Sequence, residues 1–523
     1  MSQSLIHALQ NDACYDHPVA GLEIRETHIS WVVLTGQYAY KIKKPLDFGF
    51  LDFSTLAKRK HFCEEEVRLN ARLADNLYLE TVPITGTPEA PQMGGEGEPF
   101  EYAVRMRQFD NTCLFSSMQA TGQLTQSLMD DLVGQLVAFH QDANQVDETS
   151  SFGSPTAVHA PVKENFEQLR PLLDDAEDIR RLNALETWAD EAFARLSPEM
   201  ARRQRDGFIR ETHGDVHLGN AVMHDGRALI FDCIEFNDNF RWNDVCCELA
   251  FLLMDLEARG EQGLAHHVLD RYLERSGDYR LVRLLPYYKA YRAMVRAKVA
   301  MLRLQQPGLH PADRDAVLSD YRRYVGLAER YSEIHFPYLL ISVGVSGSGK
   351  SRFTEQVVRQ LGGVRIRSDV ERKRLFGLDA LGESSSSIDS GIYTSEATER
   401  TYERLAELTG MLLESGYSVS VDATCLKRAQ RDRLRHEAEI RGLPSMLISF
   451  EADEQTLKAR IKKRSLKRDE VSEAGLEVLE RQLASREPFS DEELAQLVHL
   501  DTTAEDANLT LVALIRAHLR LSS

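Results

Sequence analysis

Two short segments carry residue types suited to moving a phosphoryl group. Residues 213–220 read HGDVHLGN and supply a carboxylate at Asp215 and an amide at Asn220. A second carboxylate, Asp232, follows in the segment FDCIEF, residues 231–236. A kinase does little covalent chemistry itself: it aligns the attacking hydroxyl, neutralises phosphate charge with metal ions and keeps a carboxylate near the hydroxyl. These three residues predict a phosphotransfer site that binds ATP and Mg²⁺.

The elements around these segments must bring Asn220 and Asp232 together. Residues 221–232 predict a hairpin that turns on Asp225 and Gly226. The two ends of one hairpin face the same cavity, which is a way to build a magnesium site from oxygen ligands. The triplet His-Gly-Asp is weak evidence alone, because His213 can serve only to hydrogen-bond a buried carbonyl. The added spacing of Asn220 and Asp232 favours the kinase interpretation.

A lysine and a glutamate upstream have the pattern of a phosphate-orienting ion pair. Residues 29–43 predict two strands joined by a turn, and alternation places Lys41 and Lys43 on one face. Residues 53–73 predict a helix whose inward face includes Glu66. We expect Glu66 to pair with Lys41, because kinase folds orient the phosphates of ATP with such a pair. The pattern leaves open whether Lys41 or Lys43 is the phosphate lysine, and a solvated, lysine-rich strand is the simpler alternative.

These residues resemble the aminoglycoside phosphotransferase and choline kinase family, the small-molecule branch of the protein-kinase-like fold, over about residues 20–330. The resemblance implies a bilobal domain in which Asp215 is the catalytic base and Asn220 and Asp232 hold magnesium. The chain departs from the family pattern in lacking a full glycine-rich loop between the first two strands, and in the residues after Asp232. Glu235 is either a further metal or substrate ligand or a partner for Arg241, and we favour the structural role.

A segment with aromatic and basic residues in alternation follows, PYYKAYRAMVR at residues 286–296. Such a segment can form a nucleic-acid-binding face. More often a helix of this kind packs its aromatic side chains and leaves its arginines in solvent. We expect the second arrangement.

A phosphate-binding loop of a different design begins a second module. Residues 338–343 predict an apolar strand that runs into this loop, and residues 353–361 continue as a helix. In such a loop backbone N–H groups cradle phosphate oxygens, Lys350 reaches the terminal phosphates and Ser351 binds magnesium. The predicted ATP-binding residues of the loop are Gly344, Val345, Ser346, Gly347, Ser348, Gly349, Lys350 and Ser351.

The rest of the second module predicts a parallel sheet wrapped by helices, because four further apolar strands alternate with helical segments. These strands are predicted at residues 364–366, 418–421, 446–450 and 497–500. Functional residues are expected at strand ends. We predict Asp369 as a base, Arg372 as a clamp for an anionic acceptor or the transferring phosphoryl group, and Asp422 as a metal ligand. A surface ion pair is the alternative for Asp369 and Arg372.

Residues 458–468 predict a basic helix that carries Arg460 and Arg464 on one face, suited to closing over a triphosphate. A solvated basic helix is the equal alternative. The module resembles P-loop kinases of the polynucleotide kinase type over about residues 338–520, a layout shared with zeta-type toxins and gluconate kinases. The resemblance implies an acceptor region at residues 384–391, for which a flexible linker is the alternative.

Bulk properties limit the function classes. The formal net charge of −18 argues against general affinity for nucleic acid or anionic membranes. The seven cysteines are scattered without a C-x-x-C pair, so neither disulfides nor zinc are expected, and a cytoplasmic location fits best. No apolar run approaches a membrane span or a secretion signal.

The sequence as a whole predicts a multidomain fold of the α/β and α+β classes. The expected domains are an N-lobe at residues 1–110, a C-lobe at 111–335 and a P-loop kinase domain at 336–523. We predict two active phosphotransferase sites: the first module phosphorylates a small hydroxylated acceptor, and the P-loop module phosphorylates a second hydroxyl acceptor. In one alternative a module is a nucleotide-bound regulator or scaffold. In the other the P-loop module phosphorylates a nucleic-acid 5′-hydroxyl, which the acidic charge of the chain disfavours.

Overall fold

The computed structural model describes residues 2–49, 51–147, 149–305, 311–379, 392, 394–464 and 475–519. The chain forms two compact units. The first comprises Met1–Asp255 and Tyr287–Ala328, and the second comprises Leu256–Pro286 and Glu329–Ser523. No helix among the described residues is long and apolar enough to cross a membrane.

The N-terminal part of the first unit is a six-stranded antiparallel sheet. Its strand order is β1-β2-β3-β6-β4-β5. The strands are β1 Glu23–Glu26, β2 Ser30–Leu34, β3 Tyr38–Lys43, β4 Tyr78–Thr87, β5 Ala90–Met93 and β6 Glu101–Arg107. The expected strand-turn-strand is β2 and β3, which turn through Gly36 at φ 93°. A Cβ at Gly36 would lie 2.8 Å from the carbonyl oxygen of Ala20, so only glycine fits this turn.

Two helices belong to this sheet region, α1 Ser2–Ala8 and α2 Leu56–Asn70. The Thr55 hydroxyl caps α2 by accepting the N–H of Lys58. The helix packs Cys63 into a core that contains Tyr78 of β4 and Val104 of β6. Two charged residues, Arg59 and Glu66, are buried on this helix, and the strands opposite must therefore supply their partners. Glu101 of β6 is the partner of Arg59, at 2.9 Å.

The C-terminal part of the first unit is largely helical, as the periodicity predicted. Its elements are α3 Phe115–Ala120, α4 Gln126–Asp142, α5 Pro155–Leu169, α6 Ala176–Arg205, β7 Ile209–Glu211, β8 Ala221–His224, β9 Arg227–Ile230, α7 Asp238–Arg241, β10 Trp242–Asp244 and α8 Val245–Ala258. The chain then contributes Leu256–Pro286 to the second unit and returns to the first with α10 Leu285–Leu302 and α11 Pro311–Ser332. The predicted hairpin is β8 and β9, paired from Ala221 to Ile230. It turns through Asp225 and Gly226, both at positive φ, as a two-residue hairpin turn requires.

The second unit contains a five-stranded sheet whose neighbours are all parallel, in the order β12-β13-β11-β14-β15. Its strands are β11 Leu339–Val343, β12 Val364–Arg367, β13 Val419–Asp422, β14 Ser445–Glu451 and β15 Leu497–Asp501. Its helices are α9 Gln262–Ser276, α12 Lys350–Leu361, α13 Ser368–Leu375, α14 Ser395–Glu414, α15 Arg428–Glu439, α16 Glu454–Arg464, α17 Leu476–Ser485, α18 Asp491–Leu494 and α19 Ala507–Leu519. The predicted parallel sheet is confirmed, with helices covering continuous apolar strands.

Helix α9 precedes the phosphate-binding loop by many residues, yet it packs on the sheet of the second unit. The reason is electrostatic: Arg365 of β12 is 2% exposed and needs buried anions. Asp270 and Glu274 of α9 supply them, at 2.7 and 3.0 Å from Arg365 Nη2. The compact units therefore differ from the predicted domain limits over Leu256–Pro286.

Candidate functional site

A chain of alternating charges links the sheet, α2 and the end of the β8–β9 hairpin. Lys41 Nζ donates to Glu66 Oε1 at 2.8 Å and to Asp232 Oδ1 at 2.6 Å. Lys43 Nζ donates to Glu66 Oε2 at 2.6 Å and also bonds the carboxylate of Glu235. The structure thus brings Glu66 to both lysines that the sequence left as alternatives. The side chain of Lys41 is 13% exposed and that of Lys43 is 1% exposed, so only Lys41 borders open space.

Burial and the nearby lysines have opposite effects on the pKa values of Glu66 and Glu235. Burial favours the neutral form of Glu66, but Lys41 and Lys43 outweigh it and lower the pKa of Glu66 to about 2. At Glu235 burial prevails over the attraction of Lys43, and its pKa is raised. Glu66 is therefore the carboxylate held firmly in its ionised form.

The loop before the hairpin holds Asp215 and Asn220 against each other. The Asn220 amide donates to Asp215 Oδ2 and to the Asp215 carbonyl oxygen, both at 3.0 Å. His217 Nε2 lies 3.5 Å from Asp215 Oδ2. Burial raises the pKa of Asp215, but the neighbouring His217 and His213 overcome it and lower that pKa to about 2. Asp215 is therefore an ionised acceptor of hydrogen bonds at neutral pH.

His213 has a supporting position. It is fully buried, and its Nδ1 accepts the N–H of Asp215 at 3.3 Å. The proton is then on Nε2, which donates to the Phe231 carbonyl at 3.0 Å. Burial lowers the pKa of His213, consistent with a neutral ring. His213 thus satisfies a buried carbonyl and ties the loop to the strand that leads to Asp232.

Two acidic residues of α8 hold the loop in place, and the sequence interpretation did not identify either. Glu248 Oε1 accepts the N–H of Gly214 at 2.6 Å, and Asp255 Oδ2 accepts the N–H of Leu218 at 3.0 Å. The other oxygen of Glu248 meets His140 Nε2 at 2.6 Å. A signal was present, because two carboxylates seven positions apart lie on one face of the segment VCCELAFLLMDLEA, which is apolar except for these two residues and Glu257. Buried acids in such a helix need donors, and loop N–H groups provide them.

Asp232 has an unusual backbone. Its φ is 65°, in the left-handed region that non-glycine residues rarely adopt, and the Tyr78 hydroxyl accepts its N–H at 3.2 Å. The side chain remains 44% exposed despite its bond to Lys41. The described residues contain no cluster of three or more His, Cys, Asp or Glu that can hold a metal by itself. Asp232 and Asn220 fit a Mg²⁺ ion that takes its remaining ligands from nucleotide phosphates and water.

Glu235 does not pair with Arg241 through its carboxylate, which corrects one of the two alternatives. Arg241 reaches only the backbone carbonyl of Glu235, at 3.4 Å, and its guanidinium Nε bonds Glu211 at 3.2 Å. The carboxylate of Glu235 instead faces Lys43. Lys43, Glu66 and Glu235 are buried together, so the carboxylate of Glu235 finds its counter-charge within the core.

The second unit carries its phosphate-binding loop between β11 and α12. Lys350 Nζ lies 2.9 Å from the carbonyl oxygens of both Gly344 and Val345, and 3.5 Å from Ser348 Oγ. The N–H of Ser346 donates to Gln482 Oε1 of α17 at 2.7 Å. Gly347 and Gly349 have positive φ, and the side chain of Ser351 is exposed. The loop thus has the predicted strand-loop-helix setting, and Gln482 is a neighbour that the sequence did not indicate.

Other predicted residues of this unit lie at strand ends or on helices. Asp422 ends β13, and its buried Oδ2 accepts no hydrogen bond, with Arg367 Nε 3.5 Å away. An orphaned carboxylate oxygen suits Mg²⁺, which prefers such ligands. Asp369 lies in the first turn of α13. Arg372 is buried and donates to the Ile392 carbonyl at 3.0 Å and to Thr398 Oγ1 at 3.2 Å.

Arg460 of α16 contacts the phosphate-binding loop. Its Nη1 donates to the Gly347 carbonyl at 3.3 Å and to Thr502 Oγ1 at 2.9 Å. The side chain of Arg464 lies outside the described residues, as do residues 465–468 of the predicted basic helix and residues 384–391 of the expected acceptor region.

Two family models match separate parts of the chain. The phosphotransferase enzyme family model matches residues 62–285, and an AAA domain model matches residues 339–489. Uncharacterized proteins of Mycobacterium tuberculosis (strain ATCC 25618 / H37Rv) and Mycobacterium bovis are each 32% identical over 451 residues, which covers 84% of this chain and 87% of the relative.

Solved structures of other proteins each resemble a portion of the chain. A choline/ethanolamine kinase family protein from Mesorhizobium loti is 11% identical, with a TM-score of 0.39, over 63% of this chain and 97% of its own. A gluconokinase from Sinorhizobium meliloti 1021 is 24% identical, with a TM-score of 0.26, over 36% of this chain and 93% of its own.

The fold and the two family matches define a kinase with a phosphotransferase domain followed by a P-loop domain. The chain belongs to the same two-domain family as its mycobacterial relatives, which share both parts along most of their length.

Proposed function

We propose that the first unit transfers the γ-phosphoryl group of ATP to the hydroxyl of a small acceptor. The observation that carries this proposal is the meeting of Lys41 with Glu66 and Asp232, which joins a strand lysine, a helix glutamate and a candidate metal ligand at one point. Kinase folds use this combination to orient phosphates and metal together. Asp215 and Asn220 belong to the loop that precedes the strand leading to Asp232.

Within this proposal Lys41 is the phosphate lysine and Lys43 is a positioning residue. Lys41 is partly exposed and touches Asp232, so a phosphate can reach it. Lys43 is enclosed between Glu66 and Glu235. Lys43 holds Glu66 toward Lys41, and through Glu235 it anchors the segment that follows Asp232.

The reaction assigns one task to each group. The acceptor oxygen attacks the γ-phosphorus, the bond to the β,γ-bridging oxygen breaks, and ADP leaves with that electron pair. The proton of the attacking hydroxyl passes to Asp215, which is ionised beforehand. Mg²⁺ supplies neutralisation of phosphate charge when bound, and Asn220 and Asp232 would hold it.

For the second unit we propose a second ATP-dependent phosphotransfer to a hydroxyl. Residues 344–351 bind the triphosphate, with Ser351 and Asp422 holding the metal. Asp369 is the base, and Arg372 together with Arg460 and Arg464 binds anionic oxygens. Asp369 follows β12 and Asp422 ends β13, and this supports the proposal because the carboxyl ends of neighbouring parallel strands form one edge of the sheet.

One observation favours a second candidate function for this unit, that of an ATP-dependent regulator. Arg372 donates to the Ile392 carbonyl and to the hydroxyl of Thr398 in the first turn of α14, so its guanidinium holds Ile392 against that helix. A unit without a free clamp for its acceptor can still bind and hydrolyse ATP slowly. Turnover of variants separates the two functions.

The test is Mg²⁺-dependent ADP release by the intact protein, Asp215→Asn, Lys350→Ala and the double variant, with pooled hydroxylated acceptors. Loss of a general base lowers the rate on the order of 10²–10⁴-fold. We expect each single variant to lose a separate acceptor-dependent activity. Asp225→Asn, in the exposed hairpin turn, is the matched control because asparagine accepts its positive φ. Full activity in Asp215→Asn with every acceptor would refute the function of the first unit. If Lys350→Ala lowers ADP release by the same factor whichever acceptor is present, the second unit is a regulator.

A further inference from the structure

His217 lies in the loop that carries Asp215, and no step of the proposed reaction uses it. Its Nδ1 accepts the N–H of Gly219 at 3.0 Å and so caps the short turn Leu218–Asn220. An accepting Nδ1 carries no proton, so the proton of the neutral imidazole is on Nε2. Nε2 lies 3.5 Å from Asp215 Oδ2. His217 thus turns an N–H toward the carboxylate that the reaction needs as its base.

Two neighbours hold the ring of His217 in this orientation. Gly219 lies against the ring: a Cβ there would be 2.8 Å from the imidazole Cε1, so a larger residue would displace it. Phe251 of α8 also packs on the ring, with centroids 5.4 Å apart and planes at 57°. The side chain of His217 is 14% exposed. Because the ring is already fixed, it loses little conformational freedom when it orients another side chain.

The two oxygens of the Asp215 carboxylate have different surroundings. Among the described residues, the side chains that contact this carboxylate are His217 and Asn220, and both meet Oδ2. Oδ1 has no such partner and keeps accessible surface, in a side chain that is 32% exposed. The protein therefore orients the carboxylate through Oδ2 and leaves Oδ1 within reach of an acceptor hydroxyl.

His213 and Arg292 also lie near Asp215, but neither contacts its carboxylate. His213 Nδ1 meets the backbone N–H of Asp215. Arg292, on α10, is 6% exposed, so the expectation that this segment leaves its arginines in solvent is wrong here. Its guanidinium faces two aromatic rings. Burial raises the pKa of Asp215, and His217 has the largest opposing effect, ahead of His213 and Arg292.

We propose that His217 is a positioning residue for the phosphotransfer reaction: its Nε2–H holds Oδ2 of Asp215 so that Oδ1 takes the proton of the acceptor hydroxyl. In this step the acceptor O–H bond breaks as its oxygen bonds the γ-phosphorus, the proton bonds Oδ1, and ADP leaves with the electron pair of the broken P–O bond. His217 keeps its own proton throughout. The proposal rests on the proposed function of the first unit and adds the residue that orients the base.

Two substitutions separate this role from that of a loop cap. In His217→Asn the amide oxygen can take the place of Nδ1 and keep the cap of Gly219, but the side chain ends short of the site of Nε2. In His217→Gln an amide N–H can reach that site, and the cap is lost. His217→Asn should lower kcat about 10–10²-fold, the range for a lost hydrogen bond to a charged group, and leave the KM for ATP within about threefold. His217→Gln should recover most of that kcat and unfold at a lower urea concentration.

The measurement is Mg²⁺-dependent ADP release with the pooled hydroxylated acceptors in a Lys350→Ala background, which silences the second unit. Tryptophan fluorescence in urea reports the folding of each variant, since all three tryptophans belong to the first unit. His224→Asn is the matched control. His224 Nε2 also lies 3.5 Å from an aspartate Oδ2, that of Asp225, and its side chain is also 14% exposed, but this pair is at the hairpin turn. The kcat of this control should stay within about threefold of the parent value.

A parent-like kcat in His217→Asn together with a loss in His217→Gln would show that His217 only caps the loop, and would overturn the proposal. Equal losses in the two variants would overturn it as well, because a donor near the site of Nε2 would then have no effect. If Asp215→Asn is inactive while His217→Asn keeps the parent kcat, the proposed function stands and only the role of His217 fails. If Asp215→Asn is fully active with every acceptor, the function itself fails.

Discussion

The two proposed phosphate lysines have partners of different kinds. Lys41 Nζ bonds two carboxylates, Glu66 and Asp232, which are 25 and 191 residues away in the sequence. Lys350 Nζ bonds backbone carbonyls five and six residues away. The first site therefore depends on full charges that only the folded unit assembles. The second depends on dipoles within one loop. Loss of a partner should unfold the first site and leave the second folded.

The largest effect is expected for Glu66→Gln. The change leaves Lys43 facing only Glu235 and removes the carboxylate that both lysines share, at a site that is fully buried. Breaking a buried ion pair on one side costs about 3–5 kcal/mol. All three tryptophans, Trp31, Trp188 and Trp242, belong to the first unit, so their fluorescence in urea reports its free energy of unfolding.

Glu64→Gln is the matched control for this change, since Glu64 is exposed on the same helix and meets only Lys60, at 3.7 Å. Its unfolding free energy should stay within about 0.5 kcal/mol of the parent value. A loss below about 1 kcal/mol in Glu66→Gln would show that the shared carboxylate is not the support of the site.

The three lysines should separate binding from stability. Lys41→Met is expected to lower the ATP affinity of the first unit on the order of 10²-fold and to destabilise it less than Lys43→Met does, because Glu66 keeps Lys43 and Asp232 is half exposed. Lys43→Met should do the reverse, with a stability loss of about 3 kcal/mol, because Glu235 stays buried without its cation. Lys350→Met should behave like Lys41→Met in the second unit. Binding of a fluorescent ATP analogue measures the affinity of each unit while the other unit is silenced. If Lys41→Met and Lys43→Met have equal effects on ATP affinity and on stability, the two lysines do not have separate roles.

The same contrast explains which features could be predicted from sequence. Residues 344–351 are contiguous, and the apolar strands around them are buried on both faces, so motif and periodicity were sufficient to predict the loop and the parallel sheet. Lys41 and Glu66 were predicted as a pair because a strand and a helix each have a readable period. The second carboxylate on each lysine, Asp232 on Lys41 and Glu235 on Lys43, follows the β8–β9 hairpin in the sequence. No local sequence pattern predicts a contact between residues so far apart in the chain.

Two further features were hidden for related reasons. The spacing of Glu248 and Asp255 marks them as acids on one face of a mainly apolar helix, but their partners are backbone N–H groups, which leave no mark in the sequence. Arg292 was expected in solvent because alternating aromatic and basic residues usually indicate an amphipathic face. Its burial depends on the tertiary positions of Phe251 and Cys247.

Acid should weaken the first unit through Glu66. Its pKa is lowered to about 2 from an ordinary value of 4.5, so folding favours the ionised form. The stabilisation is complete above pH 4.5 and is lost as the pH falls toward 2. The difference in unfolding free energy between the parent protein and Glu66→Gln should therefore shrink steadily as urea titrations are repeated from pH 5 to pH 3. A constant or growing difference would mean that the charge of Glu66 is not what the lysines stabilise.

The smallest effect is expected for Asp255→Asn. Asp255 accepts the N–H of Leu218, and an amide oxygen in the same place can still accept it, although the bond loses its charge assistance. The loop should then hold Asp215 less firmly, with a fall in kcat of about tenfold, or about 1.4 kcal/mol. The KM for ATP should change little, because Lys41 and Asp232 reach the site from other elements. A raised KM for ATP with unchanged kcat would instead show that Asp255 supports nucleotide binding. The first unit would then, like the second, bind phosphate through a single loop.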